Sequence, residues 1–165
     1  MTSIIKVDQI QTAAGGVPTA ADLGLNVGGN VLQVVQVTGT NGTNVSGSSG
    51  YVSVAGTCSI TPTSATSKVL ILHSAGSLIL GTQSIRFKML RNGVIAFEND
   101  RHLGYSNTTT WTQGTWDFKY LDTPASSSQV DYTFQAAQQS TGSWRHNDYD
   151  SSPNTWVTIL MEIAG

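Results

Sequence analysis

T-W-V-T-I-L-M-E-I, at residues 155–163, decides the fold. Val157, Ile159, Met161 and Ile163 fall on one side of an extended chain, and Trp156, Thr158, Leu160 and Glu162 fall on the other. A period of two in a stretch rich in β-branched and aromatic residues specifies a β-strand. The first side is wholly apolar and the second is mixed. The strand therefore belongs to a sheet with one buried side, the apolar side is expected inward, and Trp156 and Leu160 lie on a side that one sandwich cannot fully bury. Only Ala164 and Gly165 follow, so an attachment segment is expected at the other end of the chain.

Working back from this strand, further extended segments are read at residues 31–37, 51–55, 57–61, 68–73, 84–90, 94–97, 115–121 and 130–136. In 84–90, Ile85, Phe87 and Met89 are expected inward. In 130–136 the inward set is Val130, Tyr132, Phe134 and Ala136. Trp116, Phe118 and Tyr120 share one side of 115–121. Residues 68–73 are a near-continuous apolar run, read as a strand buried on both sides. Asn92-Gly93 between apolar runs calls for a two-residue type I′ hairpin. Residues 38–50, 124–128 and 141–154 are read as loops and turns. No helical period is sustained, and no internal repeat is seen. Eight or so strands with turns between them predict an all-β fold, an antiparallel β-sandwich of jelly-roll type spanning residues 31–165.

Residues 1–30 differ. A short strand is possible at residues 4–10, and Thr19 could cap one helical turn ended by Gly24. Gly and Pro interrupt the segment too often for a long helix. Its aliphatic residues, Ile4, Ile5, Val7, Ile10, Leu23 and Leu25 among them, are too few to bury a core alone. An extended N-terminal arm that becomes ordered against sister subunits or a larger assembly is expected.

The chain's 165 residues suit one domain with a sizeable core. Charged residues make up 11%, against a typical value of about 25%. The polar surface must come from Ser, Thr, Asn, Gln and Gly, a composition common in rigid β-rich structural proteins. Net charge is −2 without a basic block, which argues against a nucleic-acid binder. No run reaches the ~18 apolar residues of a membrane span, and the first residues do not read as a signal peptide. Cys58, the sole cysteine, reads as a small half-buried strand residue rather than a reactive thiol. The Asn-x-Ser/Thr triplets at Asn41, Asn44 and Asn107 read as loop composition.

Ser3 to Asn26, S-I-I-K-V-D-Q-I-Q-T-A-A-G-G-V-P-T-A-A-D-L-G-L-N, followed by G-N-V-L-Q-V-V-Q at residues 29–36, resembles the N-terminus of virion structural proteins of tailed phages, especially those of marine and freshwater bacteria. These are generally described as tail fibre or fibre-like proteins. S-K-V-L-I-L, the R-N-G hairpin, D-Y-T-F-Q-A-A and the closing T-I-L-M-E-I-A-G are similar as well. The matching pieces cover about half the chain. The resemblance implies a component on the surface of a phage particle, with an attachment arm and an outward β-domain. Fibre tip, baseplate appendage and capsid decoration protein share that layout.

No catalytic constellation stands out. His73, His102 and His146 are far apart in sequence, and His73 reads as a strand-end or interface residue. No Gly-x-Ser-x-Gly elbow, phosphate loop or His-Glu-x-x-His pair is present. Asn147, Asp148 and Asp150 could present oxygen ligands to calcium, but turn formation accounts for them. No enzyme, metal or cofactor is expected. Trp111, and Trp144 with Arg145 and Tyr149, lie in polar segments rather than apolar strands. Rings beside amide and charged groups suit sugar faces, so these four are the candidates for contact with a host receptor such as bacterial surface polysaccharide. The competing reading is that they cover the sandwich ends or a subunit seam.

Three functions are weighed: a fibre or fibre-tip protein for host attachment, a capsid decoration or cement protein, and, weakest, a glycan depolymerase, which needs paired carboxylates in a groove. Low charge and apolar residues on both sides of strands argue for association. A homotrimer is expected, with the number three taken from the resemblance to phage fibres. Other phage structural proteins of the tail, baseplate or capsid are the expected partners.

Overall fold

The computed structural model describes residues 15–17, 29–40, 43–46, 50–80, 84–99, 112–138, 143–146, 148–149, 152–153 and 155–165. The strand expected at residues 4–10, the helical turn at 19–23 and the arm residues Ile4, Ile5, Val7, Ile10, Leu23 and Leu25 lie outside them.

The described residues form strands and no helix. In chain order the strands are β1 (Val31–Gly39), β2 (Thr43–Ser46), β3 (Val52–Ser53), β4 (Cys58–Ile60), β5 (Lys68–Leu80), β6 (Ile85–Arg91), β7 (Val94–Asn99), β8 (Thr112–Asp122), β9 (Val130–Gln138), β10 (Ser143–His146), β11 (Asp148–Tyr149), β12 (Ser152–Pro153) and β13 (Trp156–Ile163). One sheet runs β1-β13-β5-β10-β2 with β8 also paired to β5; the other runs β3-β9-β6-β7 with β4 also paired to β9. β11 and β12 pair with each other.

The pairing is nested. β1 pairs with β13, β4 with β9, β5 with β8 and β6 with β7, all antiparallel. The halves are joined sideways through β13 on β5 and β6 on β9. A long hairpin rolled up in this way is a jelly roll, with its two sheets packed face to face.

The core lies between the sheets. Val69, Ile71 and Leu160 from one sheet meet Phe87, Met89, Tyr132 and Phe134 from the other, all buried. Each such side chain contributes about 1.5–3 kcal/mol by leaving water. Phe87 lies 4.2 Å from Trp116 and 5.0 Å from Phe118, ring centre to ring centre, stitching β6 to β8. The expected inward sets of 84–90 and 130–136 are the buried ones. The hairpin is also as expected: Asn92 and Gly93 both have positive φ, 49° and 81°, as a type I′ turn requires.

Four expectations are corrected. The 68–73 strand runs on to Leu80 and alternates: Val69, Ile71 and His73 are buried, whereas Leu70 and Leu72 are half-buried. The segments 38–50 and 141–154 contain β2, β10, β11 and β12. His73 is not at a strand end; it is buried in mid-strand.

The fourth correction concerns β13, whose faces are reversed. Trp156, Thr158, Leu160 and Glu162 point into the core; Val157, Ile159, Met161 and Ile163 lie on the outside, half-buried. The inner side prevails because each of its awkward members has a fitted place. The Trp156 indole fills the space beside Gly39, where a Cβ would come within 2.5 Å of the ring, and rests near Gly56. The Thr158 hydroxyl shares a 2.8 Å hydrogen bond with His73 Nδ1. Glu162 accepts from Gln33 Nε2, Thr63 N and Thr63 Oγ1, each at 2.7 Å. A buried polar group so satisfied costs little.

Candidate interaction surface

Reversal of β13 leaves an apolar side on the outside of the β1-β13-β5-β8 sheet. Its registers set out the side chains in rows. Val34 pairs with Met161, Met161 with Leu70, and Leu70 with Leu121. Side chains directly opposite on neighbouring strands touch, so these four make an unbroken apolar row across four strands. Val34 is 57% and Leu121 49% exposed. The next row reads Gln36, Ile159, Leu72, Lys119, and the one after it Thr38, Val157, Ser74, Asp117. On the other side of the apolar row, the register shift between Val31 and Gln33 places exposed Val31 and Leu32 by Ile163.

The surface is thus driest along the Val34–Leu121 row, more polar toward the end where β13 begins, and bounded at the other end by exposed Lys68 opposite Ile163. Gly29 N donates to Ala164 O, and Ala164 N donates to Asn30 O, both at 2.8 Å. Gly29 and Asn30 are therefore fixed at the end where β1 begins.

The outside of the opposite sheet differs. Lys88 stands opposite Glu98 and Gln135. Its ammonium lies 4.0 Å from the Tyr51 ring centre, with the Arg86 guanidinium at 5.5 Å. The Tyr51 hydroxyl donates to Glu98 Oε1 at 2.8 Å. This outer face has charged side chains at its centre; the other has an apolar row there, with Lys68, Asp117 and Lys119 beside it.

A shallow cavity of about 140 Å³ lies on the apolar sheet among Leu72, Ser74, Asp117, Lys119, Val157 and Ile159. That is well below the ~300 Å³ at which small-molecule sites begin.

Among the described residues, several polar groups with chemistry are engaged in structure. The His73 ring stacks on Phe134 at 4.2 Å. Arg91 Nη1 donates to both oxygens of Asp122, at 2.9 and 3.0 Å, and the Tyr132 hydroxyl donates to Asp122 Oδ2 at 2.7 Å, tying the two sheets together. Burial, with Asp122 as acceptor, pushes the Tyr132 phenol well above its ordinary range. Cys58 is fully rather than half buried, and burial pushes its thiol up, away from the reactive thiolate. Burial would raise the Glu162 carboxyl, but the donors from Gln33 and Thr63 outweigh it and hold the group down to about 2.

Of the receptor candidates, Trp144 is corrected. It is fully buried in the core cluster. Backbone pairing of β10 with Val45 of β2 and Leu80 of β5 carries it into the sheet. Arg145 lies next to it on β10 and Tyr149 on β11; Trp111 lies outside the described residues. Asn147 and Asp150 of the weighed calcium loop lie outside them as well.

From sequence, apolar residues on both sides of strands are expected, but the unburied side of β13 is put at Trp156 and Leu160, the opposite of the one found. The signal of the outer face was present: Val34, Leu70, Leu72, Ile159 and Met161 are aliphatic on the parity opposite to that of Val35, Val69, Ile71 and Leu160.

No protein-family model matches the chain, and no curated protein matches it. Among solved structures, the chain is similar to the D431N mutant VP2 protein of infectious bursal disease virus, from derived T=1 particles. The TM-score is 0.42 at 11% identity, over 80% of this chain and 36% of that one. It is also similar to dimeric latent PorU from Porphyromonas gingivalis, with a TM-score of 0.29 at 10% identity, over 75% of this chain and 10% of that one. The chain thus spans about a third and a tenth of the lengths of these two proteins.

Proposed function

We propose that this chain is a non-enzymatic structural component of a tailed-phage particle: a homotrimeric tail fibre or fibre-tip protein on the virion surface. In this reading residues 1–30 dock it to other phage structural proteins, and the β-domain contributes to attachment at the host surface. The observation that carries the structural role is the apolar outer face of the β1-β13-β5-β8 sheet. A side of a sandwich that presents an unbroken aliphatic row across four strands to water is suited to assembly. The virion assignment is supported by the resemblance of residues 3–26 and 29–36 to phage fibre N-termini. With Trp144 in the core, receptor contact falls to Trp111, Arg145 and Tyr149.

The test is localisation. A gold label on Gly165, imaged on intact particles, should decorate the tail or its fibres. Decoration of the head would overturn the fibre assignment in favour of a capsid decoration protein, and absence from particles would overturn both.

A further inference from the structure

We infer that the outer face of the β3-β9-β6-β7 sheet carries a binding site for an acidic polysaccharide, built by Lys88, Arg86 and Tyr51. The inference deepens the host-attachment reading, on which its biological role rests, by naming the chemical class of receptor.

The site starts from a row set by register. Ser53 stands opposite Gln135, Gln135 opposite Lys88, and Lys88 opposite Glu98. Four strands therefore present a hydroxyl, an amide, an ammonium and a carboxylate side by side, across about 14 Å at ~4.8 Å between strands. Beside this row lies the Tyr51 ring. The Lys88 ammonium is 4.0 Å and the Arg86 guanidinium carbon 5.5 Å from its centre, and its hydroxyl donates to Glu98 Oε1 at 2.8 Å. The electron-rich ring attracts both cations. All three side chains are half-buried, which limits the rotamer freedom left to lose on binding.

Among the described residues, the cluster is one negative charge short. Two cations share one ring, and Glu98, the carboxylate of the row, is turned to the phenol. Arg91 meets its carboxylate directly, with Nη1 2.9 Å from Asp122 Oδ1. Among the described residues the Lys88 ammonium forms no such ion pair. Like charges held this close repel. An anion placed between them offsets the repulsion and gains charge-assisted hydrogen bonds.

The surroundings indicate the class of anion. The row lies on an open sheet surface, exposed at Ser53 and Glu98, so a lone small anion would keep most of its water. A polymer that repeats its carboxylates gains from several copies of the chain on one particle. Ser53 and Gln135 supply donors and acceptors to sugar hydroxyls beside the cations. A nucleic acid needs a longer run of cations, which a chain of net charge −2 without a basic block does not offer.

The experiment is affinity electrophoresis of the full chain at low salt, through gels containing alginate, a polyuronate, or dextran, a neutral glucan. Circular dichroism checks the fold of each variant. Alginate should retard wild type and dextran should not. Lys88→Gln should lower the affinity for alginate at least about tenfold, the loss of one charge-assisted hydrogen bond. Lys68→Gln makes the same change in charge on the opposite sheet and should leave retardation unchanged. Glu98→Gln keeps an oxygen to accept from Tyr51 and removes the competing carboxylate, so it should bind about two- to fivefold more tightly. A merely structural cluster predicts no such gain, and this variant tests the site even if Lys88→Gln does not fold. The inference is overturned by wild type passing alginate unretarded, by equal retardation in dextran, by equal weakening in Lys68→Gln and Lys88→Gln, or by a folded Glu98→Gln that binds no more tightly. The gold-label localisation is independent of these outcomes. A chain that decorates the tail but ignores alginate loses this receptor class and keeps its place on the particle.

Discussion

Met161 and Leu70 stand opposite each other across the β13–β5 ladder, with both side chains on the outside of the sandwich. The pair shows that the closing strand faces the reverse of its apolar pattern. The inner side is held by shape and by satisfied polar groups, and the hydrocarbon left outside is available for assembly.

Trp144→Ala tests the corrected placement of this ring. Truncating a fully buried tryptophan costs about 3–5 kcal/mol, so the melting temperature should fall substantially. Thermal denaturation checks it. An unchanged melting temperature with lost binding to host cells would restore Trp144 as a surface contact.

Gly39→Ala tests the seat of Trp156. The added Cβ would meet the indole at 2.5 Å, and overpacking of this kind costs about 1–3 kcal/mol. Urea denaturation should show a lower midpoint with an unchanged slope. A neutral outcome would mean that the ring can move aside.

Much of the jelly roll was legible in the sequence, because alternation in 84–90 and 130–136 and the Asn92-Gly93 turn are local signals. The orientation of β13 was not. It depends on Gly39 and Gly56 making room for Trp156, and on Gln33 and Thr63 supplying donors to Glu162, all distant along the chain. Trp144 misled for the same reason. Its neighbours in sequence are polar, and the strands that bury it, β2 and β5, are far away. The apolar outer face follows from β13, so it too required the fold.

Glu162 gives a pH dependence. Its carboxyl is held down to about 2 from an ordinary value of 4.5. A lowered folded-state value stabilises above pH 4.5, and that contribution is lost as pH falls from 4.5 through about 2. Glu162→Gln removes this group's titration. The stability difference between wild type and Glu162→Gln, measured by urea midpoints, should therefore shrink on acidification across this window. A difference independent of pH would contradict the assignment.

Deletion of residues 1–28, which spares the hydrogen bonds of Gly29 and Asn30 to Ala164, should leave a folded β-domain that no longer enters particles. Circular dichroism and particle composition by gel check it. Normal incorporation would show that docking lies elsewhere.

The most direct measurement is the mass of the purified wild-type chain in solution, by sedimentation equilibrium at low micromolar concentration. A single species at three times 17.5 kDa is expected. A mass near one chain would contradict association through the apolar face, and a stable dimer would contradict the threefold fibre.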